Sequence, residues 1–268
     1  MKRTLLHNRT PRPPLILIPF AAVGLAIFLI PLIGMLSRTP WSRLGSLLTG
    51  PIVTEALRLS LISSITAAVI AVLIGVPLAW ILARVEFPGR SLMRGLVMLP
   101  MVLPPVVGGA ALLYAFGRRG LVGEAVYEST GFLLPFSLWG VILANVFIAT
   151  PFLVVTVEGA LRNLDPRYES AAAVLGAGRW RVFLRVTLPM IGPSLAAGTL
   201  LAWARALGEF GATITFAGNL QGSTQTMPLA VFVALERDRD TAVALSLVLV
   251  AVSLAVLVML RDRWWGTS

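Results

Sequence analysis

The chain has 268 residues, of which 57% are hydrophobic and only 13% are charged, and its mean hydropathy is +0.88. This composition excludes an ordinary soluble domain and favours a protein that lies within a membrane. The sequence has one histidine (His7), one lysine (Lys2) and no cysteine, which excludes thiolate catalysis, zinc ligation by cysteine and a phosphate-binding loop. We therefore expect no catalytic residue, no metal site and no cofactor in this chain.

Six apolar stretches are long enough to cross about 30 Å of hydrocarbon, which takes roughly 20 helical residues. We expect the first to be a retained anchor, since it is too long for a signal peptide and lacks a cleavage site. The predicted fold class is all-α: a polytopic membrane protein with about six transmembrane helices. A basic tail (1–14), a transmembrane domain (15–260) and a C-terminal tail (261–268) follow one another. The stretches cover residues 15–36, 59–82, 95–116, 133–156, 191–216 and 241–260.

The distribution of basic residues predicts how the chain lies in the membrane. If the N-terminus is cytoplasmic, the inner connections hold fourteen Lys and Arg residues and the outer connections hold seven. We therefore predict that both termini and the connecting segment 158–189 are cytoplasmic. The net charge of +10 is spread over both faces of the membrane, not gathered in one stripe. This pattern favours anionic membrane lipid as a partner and argues against nucleic acid.

The third apolar stretch cannot form a straight helix. Pro100, Pro104 and Pro105 remove backbone donors, and Gly108 and Gly109 weaken the helix that follows. Broken backbone at membrane depth is tolerated only where protein or a water-filled cavity surrounds it. Two interpretations remain open: an element that lines or gates a pathway, or a kink packed against neighbouring helices.

The fifth stretch carries two ionisable residues, Arg205 and Glu209, which are four apart and so share one helical face. Charges within a span are costly and usually face a cavity or each other. They are either a structural pair or part of the mouth through which an anion passes. We assign a candidate translocation path to Pro104, Arg205, Glu209 and Thr213. In the fourth stretch, Asn145 is predicted to form a hydrogen bond between helices.

Segment 158–189 predicts two short helices separated by a glycine. Asp165 suits the N-cap and Pro166 the first helical position, and Gly176 suits the left-handed residue that ends the helix. Between them, four side chains spaced i, i+3, i+4 and i+7 form an apolar stripe. The stripe consists of Tyr168, Ala171, Ala172 and Leu175.

The same segment resembles the signature of binding-protein-dependent ABC permeases, in which Glu-Ala-Ala, three residues and Gly precede a Leu-Pro pair. Here the matching residues are Ser170, Ala171, Ala172, Gly176, Leu188 and Pro189. Ser170 stands where the signature has glutamate, and Glu169 lies one residue earlier. We therefore do not carry over the salt bridge that the resemblance assigns to that glutamate.

Other stretches extend the resemblance to about residues 54–260. Segments 59–61, 75–80 and 87–90 look like the second span of these permeases. Segments 205–219 and 224–230 are similar to the molybdate branch of the oxyanion permeases.

The resemblance implies half of a type I importer in the cell inner membrane. It implies a homodimer of permease chains, ATP-binding cassette ATPase subunits that hold ATP and Mg, and an external substrate-binding protein that delivers molybdate. The helix at 166–176 would couple the permease to the ATPase. The residues assigned to ATPase coupling are Tyr168, Glu169, Ser170, Ala171, Ala172, Leu175, Gly176, Leu188 and Pro189.

An ion-gradient-driven secondary anion transporter is the alternative, because such proteins also carry anions between broken helices. It would need acidic groups within its spans, and only Glu209 lies deep in one. Moreover, the third stretch alone is clearly interrupted in the sequence.

Overall fold

The structure is a computed structural model that describes residues 16–264, with side chains described through residue 259. The predicted basic tail 1–14, with Lys2 and His7, lies outside the described residues, as do residues 265–268 of the predicted C-terminal tail. Within the described part, every regular element is helical. The chain forms two units that meet at residues 44 and 45.

The N-terminal unit contains one long helix, α1 (Leu17–Ser37). Its 21 residues have a mean hydropathy of 2.5 in the most apolar window, enough to cross a membrane by length and composition. The helix corresponds to the first predicted stretch.

Apart from Leu44, the first residue of α2, the remaining helices belong to the second unit, and the turn between α9 and α10 is a π-helix at Phe183–Thr187. The remaining helices follow one another in chain order. They are α2 (Leu44–Leu48), α3 (Pro51–Arg84), α4 (Arg90–Val102), α5 (Pro105–Phe116), α6 (Gly123–Thr130), α7 (Leu138–Asn163), α8 (Arg167–Val174), α9 (Arg179–Val182), α10 (Leu188–Met190), α11 (Gly192–Leu207), α12 (Gly211–Phe216), α13 (Met227–Arg237) and α14 (Arg239–Trp264).

Among the described residues, α1, α3, α7 and α14 are each long and apolar enough to span a membrane as single helices. Two bent pairs raise the number of candidate spans to 6: α4 with α5, and the segment Arg179–Met190 with α11. The predicted all-α polytopic fold is therefore confirmed. The helix α3 extends the second predicted stretch at its N-terminal end, and α7 extends the fourth at its C-terminal end.

Helices α3, α7 and α11 form the centre of the second unit, where small residues allow close helix packing. A Cβ atom at Gly75 of α3 would lie 2.9 Å from Leu153 Cδ2 of α7. A Cβ atom at Gly198 of α11 would lie 3.1 Å from Thr156 Cβ of α7. Glycine at both crossings therefore allows the helices to approach closely, since a larger residue would require a neighbouring side chain to shift.

A second core joins the start of α3 to α13 and α14. It includes Val53, Met227, Ala230 and Leu245. The backbone N–H of Met227 donates a hydrogen bond of 2.7 Å to Ser60 Oγ, which satisfies one free donor at the start of α13. Helix α13 was not predicted from the sequence, because its 11 residues are too few to form a span.

The expectation of a continuous fifth helix at 191–216 is wrong, as is the expectation that only the third stretch is interrupted. Helix α11 ends at Leu207 and α12 begins at Gly211. In the segment between them, the Glu209 side-chain atom Oε1 accepts a hydrogen bond of 2.8 Å from the backbone N–H of Ala212. This contact replaces a bond that a continuous helix would make, so the side chain stabilises the interruption.

Candidate functional site

The connecting segment between α7 and α11 folds largely as its local chemistry predicts. Asp165 Oδ1 accepts a hydrogen bond of 2.9 Å from Arg167 N–H at the start of α8. The helix begins at Arg167, one residue later than the predicted start at Pro166, which lies at the N-cap instead. Gly176 has φ +85°, in the left-handed region where glycine is favoured. The predicted arrangement of helix, glycine and second helix is confirmed.

One face of α8 presents apolar side chains that nothing in the described structure covers. Tyr168 is 56% exposed and Leu175 is 88% exposed. Ala171 is also exposed, whereas Ala172 is half-buried. Val174, which our sequence analysis did not include, is 87% exposed and adds to this surface. We call Tyr168, Ala171, Val174 and Leu175 the apolar patch of α8.

The opposite face of α8 is held to the rest of the chain by three polar residues, Arg84, Glu169 and Thr187, which we call the latch. Thr187 Oγ1 donates a hydrogen bond of 2.6 Å to Glu169 Oε1. Arg84 Nε lies 3.2 Å from Glu169 Oε2. Arg84 Nη2 also donates to the Leu164 carbonyl at 3.3 Å. The end of α3 is thereby joined to the chain before α8 and to α8 itself.

The structure shows what two neighbouring residues of the signature region, Glu169 and Ser170, contact. Although Ser170 replaces the glutamate of the signature, an ion pair is present, and Glu169 supplies its carboxylate. Ser170 instead donates its hydroxyl to the Pro166 carbonyl within the helix. Glu169 therefore lies on the inner side of α8, away from the apolar patch. Arg84 entered the sequence prediction only through the count of cytoplasmic Lys and Arg residues, and Thr187 was not predicted to have a role.

The π-helix ends at Thr187, directly before Leu188 and Pro189, the last two residues of the signature. Pro189 has no N–H to donate, which disfavours regular α-helical bonding just before it. Such π turns are frequent at functional sites. Leu188 packs against the main core, while Pro189 is exposed. The chain then bends by 74° into α11.

A second polar network, which our sequence analysis missed, fixes α4 against the ends of α3 and α7. Arg90 Nε donates to the Leu82 carbonyl at 2.8 Å, satisfying an acceptor that the end of α3 leaves free. Arg94 Nε donates to Glu158 Oε1 of α7 at 2.9 Å. Glu158 is 4% exposed. The only sequence signal for this network was a pair of arginines, Arg90 and Arg94, four residues apart and directly after Gly89.

The third stretch is broken as predicted, because α4 and α5 meet at an angle of 119°. Helix α5 packs closely on α12. A Cβ atom at Gly109 would lie 2.7 Å from Thr215 Cβ, and one at Gly211 would lie 2.7 Å from Pro105 Cβ. The segments that follow the two interruptions are thus in direct contact.

The predicted path residues differ in their surroundings. Arg205 Nη2 lies 2.6 Å from Glu209 Oε2, which is the contact expected of a structural pair. Glu209 and Thr213 are buried, whereas Pro104 is exposed at the start of α5. The Arg205 side chain remains 28% exposed. Asn145 is buried, and its Oδ1 accepts no hydrogen bond from the described residues.

Comparison with known proteins places this geometry in a family. Residues 75–264 match the family described as binding-protein-dependent transport system inner membrane component. The chain belongs to this family. Molybdenum transport system permease protein ModB of Mycobacterium tuberculosis (strain ATCC 25618 / H37Rv) is 45% identical over 228 residues, which cover 85% of this chain and 86% of the relative. Sulfate transport system permease protein CysT of Escherichia coli (strain K12) is 37% identical over 217 residues, covering 81% and 78%.

A solved structure shows the same fold. A chain of the bacterial alginate ABC transporter, in complex with an alginate pentasaccharide-bound periplasmic protein, has a TM-score of 0.75, with 94% of both chains covered and 20% sequence identity. The architecture is that of an ABC importer transmembrane domain. Membership in the permease family also sets aside the alternative of an ion-gradient-driven secondary transporter.

In this permease, Gly109→Ala should destabilise the fold by about 1–3 kcal/mol, because overpacking forces backbone shifts. The new Cβ atom would lie 2.8 Å from the Ala212 carbonyl oxygen, and a backbone atom cannot move aside independently. Unfolding of the purified protein in detergent measures the change. Gly95→Ala in α4 is the matched control, since no atom of the described residues, apart from its own helix backbone and chain neighbours, lies within 4 Å of its Cβ position. Equal stability of the two variants would contradict the proposed tight crossing.

Proposed function

We propose that this chain is the membrane-spanning subunit of an ATP-driven importer that moves molybdate into the cytoplasm. The observation that carries the proposal is the apolar patch of α8, which faces outward while the latch holds the other face of the same helix. An exposed apolar surface on a helix with a fixed inner side suits docking into a groove of a second protein. That second protein is the ATPase, and α8 is the coupling helix.

Molybdate is the proposed substrate because the relative at 45% identity is a molybdenum permease and the sulfate relative is less similar. Segment 205–219, which resembles the molybdate branch, includes the interruption between α11 and α12. Tungstate and sulfate are also tetrahedral dianions, so they are the natural competitors in any test.

The energetics of the cargo explain the need for an ATPase partner. Moving a dianion into a cell that is negative inside costs about 4.6 kcal/mol at 100 mV, at about 2.3 kcal/mol per charge. Since the sequence excludes a phosphate-binding loop, ATP and Mg bind in the partner and this chain needs no cofactor. We propose a homodimer of this chain in the cell inner membrane, with α8 and both termini on the cytoplasmic side and an external binding protein on the other.

We propose that coupling proceeds by rigid-body motion, with α8 moving together with the end of α3. The latch supports this because it ties the end of α3 to α8, and the Arg94–Glu158 pair joins α4 to the part of α7 that leads into α8. When ATP draws the ATPases together the path opens outward, and after hydrolysis it opens inward. Pro104 and Arg205 keep exposed surface and would line the path, whereas the buried Glu209 and Thr213 would shape it.

Reconstitution tests the proposal directly. The full chain, its ATPase and its binding protein are placed in vesicles, and uptake of labelled molybdate is measured with ATP or with an imposed proton or sodium gradient. We expect accumulation only with ATP, and inhibition by excess tungstate more strongly than by sulfate. Accumulation by this chain alone under an ion gradient would overturn the proposal, and preference for sulfate would overturn the substrate assignment.

A further inference from the structure

An apolar groove of about 420 Å³ lies where α3 ends beside α9 and the π-helix. Trp80 and Phe183 meet edge to face with ring centroids 6.5 Å apart, and Phe183 stacks on Trp180 at 5.7 Å. Trp180 is nevertheless 72% exposed. The groove is lined by Pro77, Trp80, Ile81, Arg179, Trp180 and Phe183. Five of these six residues are apolar, so the groove suits a hydrocarbon chain.

The groove continues into a basic cavity of about 540 Å³, which shares Arg179 and Trp180 with it. Arg181 and Arg185 also line this cavity, and no acidic residue does. All three arginines are exposed, and none forms an ion pair with another described residue. Three arginines without an acidic partner among the described residues therefore lie at one end of an apolar groove. An anionic amphiphile would fit this arrangement, with its charged group at the arginines and its hydrocarbon chain in the groove.

From this juxtaposition we propose a binding site for an anionic phospholipid, with its phosphate headgroup at Arg179, Arg181 and Arg185 and one acyl chain along Trp80 and Trp180. Arginine suits phosphate because its guanidinium can form two parallel hydrogen bonds. Tryptophan is favoured at the level of the headgroups, where its ring is partly apolar and partly polar. The site goes beyond the proposed transport function and does not depend on which anion is carried.

The site also places the lipid next to the latch. Arg179 and Phe183 line a third cavity, of about 330 Å³, together with Glu169 and Thr187. The charge of the Glu169 carboxylate is already compensated by Arg84 at 3.2 Å. The three arginines of the basic cavity therefore remain available to an anion. A bound lipid would therefore contact the same α9 and π-helix segment that supports the coupling helix.

Native mass spectrometry of the purified full-length assembly measures lipid retention. We expect dioleoyl phosphatidylglycerol to be retained and phosphatidylcholine with the same acyl chains to be lost. Each basic residue near a membrane surface contributes about fivefold to the binding of anionic lipid, so Arg181→Gln/Arg185→Gln should lower retention roughly 25-fold. Trp180→Ala should also lower it, through loss of the groove wall.

The matched control is Arg118→Gln/Arg119→Gln, which removes the same charge from the loop after α5 and should leave retention unchanged. Equal retention of the two lipids by the wild type would overturn the proposal, as would equal losses in the two double variants. Retention that is unchanged in Arg181→Gln/Arg185→Gln while ATPase copurification is lost would assign this surface to the ATPase instead. Because the measurement does not involve transport, its failure is distinct from failure of the proposed function.

Discussion

Replacing Leu175 by aspartate should abolish ATP-driven uptake while leaving the permease folded. Leu175 is 88% exposed, so the substitution removes no packing within the chain. Burying a leucine side chain against a partner contributes about 1.5–3 kcal/mol, and losing that term weakens binding roughly 10- to 100-fold. The added charge would weaken docking further, because a buried unpaired carboxylate is costly. Retention of the ATPase during purification and uptake in vesicles measure the effect.

Leu121→Asp provides a close control. Leu121 is 90% exposed and lies between α5 and α6, outside the coupling segment. The two variants therefore make the same chemical change at equally exposed positions. We expect wild-type ATPase retention for Leu121→Asp and loss for Leu175→Asp. If Leu175→Asp retained the ATPase and stimulated hydrolysis normally, α8 would not be the coupling helix.

The parts of this fold that were predictable from sequence depend on neighbouring residues. Apolar length predicts the spans, and proline placement predicts the 119° bend between α4 and α5. Asp165 and Gly176 bound α8 through capping and positive φ, both of which are local. Helix α13 was missed because an 11-residue apolar segment is too short for a span.

The interruption after α11 was missed for a different reason. An Arg-Glu pair spaced four apart predicts one helical face, and the two side chains do meet at 2.6 Å. However, Glu209 also accepts a hydrogen bond from Ala212 N–H, and this contact stabilises a break that the spacing rule does not anticipate. A residue that suits a continuous helix can thus also cap the next helix.

The polar networks were beyond prediction because their members are distant in sequence. Arg84 ends α3, Glu169 lies in α8 and Thr187 ends the π-helix. Only the folded chain brings them together. The signature itself was misleading here, since Ser170 occupies the expected position and Glu169 provides the contact. A single sequence does not reveal which arginine compensates a given carboxylate.

Reversing one charge of the latch should uncouple ATP hydrolysis from uptake. In Glu169→Arg, the new guanidinium would face Arg84, whose side chain is only 15% exposed. Hydrogen bonds to charged groups contribute about 1.5–3 kcal/mol, so the held position of α8 should become roughly 10- to 100-fold less populated. Uptake should fall accordingly, while ATPase binding persists because the apolar patch is intact. Parallel measurements of uptake and of ATPase retention separate the two effects.

The double variant Arg84→Glu/Glu169→Arg makes the interpretation specific. If the ion pair itself positions α8, the exchange restores opposite charges and should recover uptake in part, although Arg84→Glu alone should be impaired. Full recovery is not expected, because Thr187 Oγ1 would lose its carboxylate acceptor. Glu169→Gln, which retains an oxygen for Thr187 but removes the charge, should be intermediate. Impairment of the double variant equal to the sum of the single effects would show that the two residues act independently, and the latch would then have no role in coupling.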